Sequence, residues 1–392
     1  LIVLAAGKAA GSMTEVAEAH YLDRLQVPAD RLRGVAVTRH GYGRPTRHIE
    51  MIEAGHPIPD GAGLAAAEKA LTLAGSAGGN DLVLVLLSGG ASANWIAPAQ
   101  GLAFADKQAV TRALLRSGAN IGEINTVRRH LSRIKGGRLA RLAQPARVVT
   151  LAVSDVPNDE PAAIGSGPTV PDATTLGDAR AIVKRYALDL PEAVMRALND
   201  PANETPKPDD PLFKATSFAI VARPADALRV AEENVRKQGY EPIVLGDSLQ
   251  GEARDVAAAH AAMARDLQRR GARAVILSGG ELTVTIAGKG SGGPNQEYAL
   301  ALAVALDGAR GIAAVAGDTD GTDGGGGDST DPAGAFADGG TAQRARALGL
   351  DPAAFLADNN STAFFAKLGD LVQTGPTFTN VNDFRAIVVD RV

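Results

Sequence analysis

Short, strongly apolar runs alternate along the chain with longer segments whose apolar residues recur at helical spacing. The runs predict strands at residues 1–5, 34–38, 82–88, 147–153, 217–222, 241–246, 273–278, 282–287, 312–317 and 385–390. The longer segments predict helices at 8–25, 61–77, 106–116, 120–132, 174–187, 224–238, 250–270, 295–308 and 340–348. Apolar strands separated by helices point to βαβ units, in which parallel or mixed sheets are sandwiched by helices. A Pro- and Asp-rich stretch at 199–212 (NDPANETPKPDDPL) has no apolar period and reads as a linker. The expectation is therefore two α/β domains, a Rossmann-like one over 1–210 and a second over 211–392. One echo links the halves: LLSGGAS (86–92) and ILSGGEL (276–282) each follow an apolar run.

Composition narrows the chemistry. The 392 residues contain no Cys, which removes disulfides, thiolate metal sites and Cys nucleophiles together. A formal charge of −4 gives no overall drive toward nucleic acid or a membrane surface. No apolar run reaches the roughly 18 residues of a membrane span. The opening LIVLAAGKAAGSM lacks the charged start and cleavage site of a signal peptide, so a cytoplasmic location is expected. It also lacks an initiator Met and begins inside an apparent strand, so further residues are expected upstream. The 45 Gly are abundant and cluster at the ends of predicted strands. Their loops are where a ligand is expected.

Several constellations stand there. Lys8, between Gly7 and Gly11, opens a helix after the first strand and suits an anion. Ser88, Gly89, Gly90 and Ser92 follow the strand at 82–88, and carboxyl ends of strands are where open α/β sheets bind ligands. Arg128 and Lys135 lie in the basic stretch NTVRRHLSRIKGG, seven apart and on one face if the helix runs through. Asp155 stands just past the strand at 147–153, as a metal-binding or proton-accepting carboxylate would. Glu281 follows a Ser-Gly-Gly turn, and a Gly-rich loop with Lys289 leads to Asn295, Gln296 and Glu297 at a helix start marked by Pro294. The densest feature is GDTDGTD (317–323), whose Asp318, Asp320 and Asp323 are hard oxygen ligands suited to Mg²⁺. Asn380, Asn382 and Asp383 form a polar cluster before the last strand. Each also has an ordinary reading as turn chemistry or a solvated charged face.

The P-loop motif, paired His ligands and a G-x-S-x-G elbow are absent. The one G-x-G-x-x-A of note, Gly61–Ala66, follows Asp60 rather than a strand and reads as an N-capped helix start.

Taken in order, AAGKAAGSM (5–13), EAGHPIPD (53–60), LSGGASANW (87–95), INTVRRHLSRIKGGRLA (124–140), VSDVPNDEPAAIGSGPTVPD (153–172), GGPNQEYALALA (293–304), GDTDGTDG (317–324) and TNVND (379–383) resemble the glycerate 2-kinase family, MOFRL-domain proteins once labelled hydroxypyruvate reductases. The resemblance spans nearly the whole chain. It implies ATP- and Mg²⁺-dependent phosphorylation of D-glycerate to 2-phosphoglycerate, in a two-domain α/β protein with its active site in the interdomain cleft. It implies a catalytic role for Lys8. Where the family often carries Arg, this chain has Pro294, so no role for that Arg carries over.

On that reading Lys8 neutralises the transferring phosphoryl group. Asp318, Asp320 and Asp323 hold Mg²⁺, and Asp155 or Asp323 takes the hydroxyl proton. The loops at Ser88–Ser92 and 288–295 cradle phosphates, and Lys135 or Arg128 pairs with the substrate carboxylate. Glu281, Lys289, Asn295, Gln296, Glu297, Asn380, Asn382 and Asp383 complete the expected binding residues. ATP and a small hydroxy acid are the expected partners, and the chain is expected as a monomer or homodimer. Two alternatives stay open: an NAD(P)H-dependent hydroxypyruvate reductase, and a non-catalytic sugar-acid binding protein.

Overall fold

The computed structural model describes residues 1–325 and 328–391, so Gly326 and Gly327 of the Asp/Gly-rich loop lie outside the described residues. The chain divides into two compact units, Leu1–Val221 and Ala222–Val392.

The first unit is built on a six-stranded sheet. Its strands are β1 (Ile2–Ala6), β2 (Arg33–Arg39), β3 (Glu50–Ala54), β4 (Leu82–Leu87), β5 (Arg147–Val153) and β6 (Thr216–Ala222), in the order β3-β2-β1-β4-β5-β6. The pairs β3/β2, β2/β1, β1/β4 and β4/β5 are parallel. Every residue of β1 is buried, as a central parallel strand covered on both faces requires. The helices are α1 (Ala10–Glu18), α2 (Gly61–Gly75), α3 (Ala91–Asn94), α4 (Phe104–Arg116), α5 (Ile121–His130), α6 (Arg138–Leu142), α7 (Leu176–Arg185) and α8 (Glu192–Asn199). The start of α2 is as the sequence reads: Asp60 caps it, accepting from the Gly63 N–H at 2.9 Å. The order of the strands reverses between β1 and β4. The crevice outside their carboxyl ends is where doubly wound sheets bind ligands.

The second unit carries a mixed sheet of β7 (Glu241–Val244), β8 (Ala274–Ser278), β9 (Ile312–Asp318), β10 (Gly334–Asp338), β11 (Leu371–Val372) and β12 (Asp383–Val389), ordered β11-β10-β9-β12-β8-β7. Only β7/β8 is parallel. Its helices are α9 (Pro224–Lys237), α10 (Ala253–Arg269), α11 (Pro294–Ala305), α12 (Thr341–Ala347), α13 (Pro352–Ala357) and α14 (Ser361–Leu368). Residues 295–303 of α11 are buried without interruption, so this helix is the centre of the unit rather than an amphipathic cover.

Three expectations are corrected. The stretch at 199–212 is not a linker. Its Asn203 and Thr205 are buried, and Glu204 pairs with His130 of the first unit. The division falls beyond 210, at Val221, because β6 joins the first sheet. The apolar alternation at 282–287 does not form a strand. Its backbone donors go to loop and side-chain acceptors, Thr283 N to Gly251 O, Thr285 N to Glu252 Oε1 and Ala287 N to Asn359 Oδ1, and Ile286 is 81% exposed. The strands β3, β10 and β11 were not foreseen. β3 reads EMIEA and β10 reads GAFAD, short and with little apolar signal.

Candidate functional site

At the switch point the turns after β1 and β4 are stitched together. Lys8 N donates to Gly89 O (2.8 Å), Ala9 N to Ser88 Oγ (2.9 Å) and Ser88 N to Ala6 O (3.0 Å). Gly7 has φ +116°, and a Cβ there would come within 2.4 Å of Ser88 O. Only glycine permits this approach. Ser88 is fully buried and its hydroxyl is spent on this seam, so it is framework rather than a phosphate ligand. Lys8 is thereby fixed beside Gly90, where a Cβ would lie 3.4 Å from Lys8 Cγ and 2.9 Å from the His56 ring.

Next to this seam is a cavity of about 560 Å³ lined by residues of the first unit alone, among them His56, Gly90, Ser92, Lys107, Arg112, Arg128 and Lys135. Its wall holds four Lys or Arg side chains and no Asp or Glu. Burial near like charges weakens a cation's hold on its proton. Lys107 is held well below the ordinary lysine value by burial, then by the charges of Lys135 and Arg128. It donates to Arg128 O (2.8 Å) and Leu131 O (3.0 Å), satisfying carbonyls at the end of α5. Lys135 is brought down to about 7 by burial and by Arg128. Its Nζ donates to Ser92 O (3.0 Å) and Ser92 Oγ (3.1 Å), and Ser92 Oγ lies 2.5 Å from the buried Ser166 Oγ. Arg128 is half-buried and its guanidinium makes no hydrogen bond or ion pair to the described residues.

The sequence argument that Arg128 and Lys135 share a helix face is corrected. The helix α5 stops at His130, and Lys135 lies beyond it in a turn held by the Ser132 hydroxyl. The two reach one cavity because the chain turns back, not because of helical period. Their basic neighbours are structural. Arg129 pairs with buried Asp172 (3.0 Å), His130 with Glu204 (3.1 Å), and Arg133 with Glu68. Asp155 is half-buried two positions beyond β5, on the same strand-end side as Lys8 and Ser88, but does not line the cavity. His56, Lys107 and Arg112 were missed. Lys107 had a legible signal, since it shares the buried stripe of α4 with Val110 and Leu114, and a lysine in an apolar stripe needs a reason.

In the second unit Asn295, Gln296, Glu297, Asp323 and Asp383 come together at the buried start of α11. Asp323 accepts from Asn295 N (3.0 Å), Asn295 Nδ2 (3.1 Å), Gln296 N (2.8 Å) and Gln296 Nε2 (3.1 Å). Asn295 also donates to Asp383 (2.7 Å), which pairs with buried Arg385 (3.1 Å). Gln296 accepts from Thr362 (2.7 Å), and Glu297 pairs with Arg254. Burial pushes Asp323 up to about 6 and raises Asp383 as well, against the pull of Arg385. Asn380 and Asn382 accept backbone donors of Asn382 and Asp383, turning the chain into β12. Glu281 and Lys289 are exposed. The loop at 288–293 is not a phosphate cradle of open backbone. It packs against another segment so closely that a Cβ on Gly293 would lie 2.3 Å from Asp323 O.

Nor do Asp318, Asp320 and Asp323 fit a magnesium site. Asp323 is committed to the helix cap. One oxygen each of Asp318 and Asp320 accepts a backbone N–H two residues on, Asp320 N at 2.9 Å and Thr322 N at 2.7 Å. Among the described residues no group of three His, Asp or Glu side chains is arranged to hold a metal. No helix of the described residues is long and apolar enough to cross a membrane.

The geometry also bears on a dinucleotide at the first turn. A pyrophosphate there needs backbone donors at the start of α1. The N–H groups of Gly7, Lys8, Ala9 and Ala10 are all spent, on Val37 O, Gly89 O, Ser88 Oγ and Gly7 O. The second strand, β2, ends in Thr38-Arg39 rather than a carboxylate for a ribose, and Arg39 is buried with its guanidinium 4.6 Å from the Tyr42 ring centroid.

Comparison with known proteins agrees with the sequence resemblance. Residues 1–199 match a domain of unknown function, DUF4147, and residues 274–383 match the MOFRL family. The chain is 40% identical to a glycerate 2-kinase of Pyrococcus horikoshii, over 99% of this chain and 87% of the relative. It is 47% identical to an Agrobacterium vitis protein bearing the provisional name of a hydroxypyruvate reductase, over 99% and 87% respectively. The solved structure of a Thermotoga maritima glycerate kinase superposes with a TM-score of 0.86 at 37% identity, covering 99% of this chain and 91% of that one. With both domain models in order and full-length relatives at this identity, the chain belongs to the MOFRL-containing glycerate 2-kinase family.

Proposed function

We propose that this enzyme transfers the γ-phosphoryl group of ATP to the 2-hydroxyl of D-glycerate. The observation that carries this reading is the unpaired, half-buried guanidinium of Arg128 in a cavity whose lining has no carboxylate, beside Lys8 at the switch point. A buried cation without a partner is costly unless a ligand anion supplies one. A hydroxy-acid carboxylate does so and is held by paired N–H···O bonds. Phosphoryl transfer asks mainly for positioning and for positive charge around the transferring group. Lys8 supplies that charge. Among the described residues the three Asp do not form a dedicated metal site. Magnesium would enter with the nucleotide, as the counter-ion of the phosphates of ATP.

The reductase reading is disfavoured by the spent donors of the first turn. The Asp-rich loop no longer separates an enzyme from a mere binder, since Asp323 has a structural task. The direct test is incubation with D-glycerate, ATP and Mg²⁺, with 2- and 3-phosphoglycerate resolved, and NADH consumption with hydroxypyruvate in parallel. Formation of 2-phosphoglycerate alone is expected. NADH consumption without phosphorylation would replace this reading by the reductase, and neither product by the binder. Substituting Arg128→Gln should raise the KM for glycerate by about 10²-fold or more, as expected for loss of a desolvated carboxylate partner, with a smaller change in the KM for ATP. An unchanged glycerate KM would remove Arg128 from the site.

A further inference from the structure

The cavity holds a base that the sequence argument did not assign. Carboxylates were expected to take the substrate proton, yet Asp323 caps α11 in the second unit and Asp155 does not line the cavity. Lys135 does line it, with Nζ donating to Ser92 O and Ser92 Oγ. Two donated bonds are what a neutral amine can make, and its lone pair is then left over. Ser92 is itself held by Ser166, so the amine is anchored from both the backbone and a hydroxyl pair.

We propose that Lys135 is the catalytic base that accepts the hydroxyl proton during phosphoryl transfer. This rests on the kinase reading above. In the step, the substrate O–H proton passes to the Nζ lone pair as the hydroxyl oxygen forms its bond to the γ-phosphorus. The bond from that phosphorus to the bridging oxygen breaks, and ADP leaves with the electron pair. The resulting ammonium returns its proton to solvent after product release.

The surroundings favour this role over a simple anion anchor. The charged or titratable groups that line the cavity with Lys135 are Arg128 at the end of α5, Lys107 and Arg112 on α4, and His56 on the loop after β3; Arg138 at the start of α6 acts on Lys107, and Lys8 lies beside Gly90 of the lining. All are cations or, for His56, able to become one, and the cavity lining offers no carboxylate to hold the ammonium form. Burial and Arg128 bring the amine to about 7, where neutral base and ammonium interconvert at working pH. Arg128, always charged, is the better partner for the carboxylate, and the two cations then divide the work.

The test is the pH dependence of kcat with D-glycerate and ATP, for the wild type, Lys135→Arg and Arg128→Gln, each checked by thermal melting. The wild type should gain activity as pH rises through about 7. Lys135→Arg keeps the charge but cannot accept a proton, so kcat should fall by about 100-fold or more while the glycerate KM changes by only a few-fold. Arg128→Gln removes the charge that holds the amine down, so its acid limb should move to higher pH by about half a unit or more. If Lys135→Arg retains kcat within a few-fold of the wild type, or if Arg128→Gln leaves the limb in place, the proposal is overturned while the kinase reading stands. Should Lys135→Arg fail to fold, the limb in Arg128→Gln decides alone. A wild type that makes no phosphoglycerate overturns the kinase reading, and this proposal with it.

Discussion

Lys8→Ala should lower kcat for glycerate phosphorylation by about 10²- to 10³-fold, the loss found when one positioned charge or donor is removed from a developing anion. The fold should survive. Alanine keeps the backbone N–H that donates to Gly89 O, and the seam around Ser88 Oγ involves Ala9 rather than the Lys8 side chain. Lys8 is half-buried, so truncation leaves no sealed cavity in the core. Steady-state kinetics beside a melting curve separates the two effects. A drop in kcat with an unchanged melting temperature is expected. Full activity in a folded Lys8→Ala variant would remove Lys8 from the chemistry and leave its turn as scaffold.

The largest loss of stability should follow Asp323→Ala. The Asp323 carboxylate accepts four donors, two of them backbone N–H groups at the start of the buried helix α11. Each buried donor left unsatisfied costs about 1–3 kcal/mol, so a loss of at least ~3 kcal/mol is expected, or roughly 10 °C in the melting temperature of the second unit. Asp323→Asn keeps one acceptor oxygen and should lose about half as much. The effect should depend on pH, with a definite sign. Burial raises this carboxyl to about 6 in the fold, above the value of about 3.9 for a free Asp. Its protonation therefore favours the folded state fully below about pH 4, and that advantage is lost as pH rises through about 6. The gap between wild type and Asp323→Ala should narrow from about pH 5 to about pH 8, as measured by denaturant unfolding. A gap that widens instead would mean that Asp323 is ionised in the fold throughout.

Much of the architecture was legible. Wherever a strand is buried on both faces, as in β1, β4 and β8, its apolar run is continuous and its position was read to within a residue or two. Helices with one apolar stripe or a capping residue, such as α2, α5 and α7, were read equally well. The short strands β3 and β10 and the short helices α3, α6, α13 and α14 were not. Each has too few residues to establish a period, and contacts far along the chain hold it in place. The segment at 282–287 carried a strand's pattern but had no strand beside it to pair with.

The candidate site divides in the same way. By itself the sequence offered candidate anion-binding motifs around Lys8, Ser88–Ser92 and Arg128–Lys135, and left oxygen and nitrogen groups as the only side-chain ligands in a chain without Cys. Motifs of this kind are local, set by a strand, a turn and a helix start within a dozen residues. Only the tertiary structure decided which of them are tied to one another and which line a cavity. Asp323, Asn295 and Gln296 look as polar in sequence as Arg128 and Lys135. The first three satisfy one another in a buried network across segments far apart in the chain, whereas the Arg128 guanidinium has no partner among the described residues, in a cavity lined by three further Lys or Arg side chains. The physical reason is that a polar side chain's role depends on whether folding brings it a complementary group, and that partner comes from elsewhere in the chain.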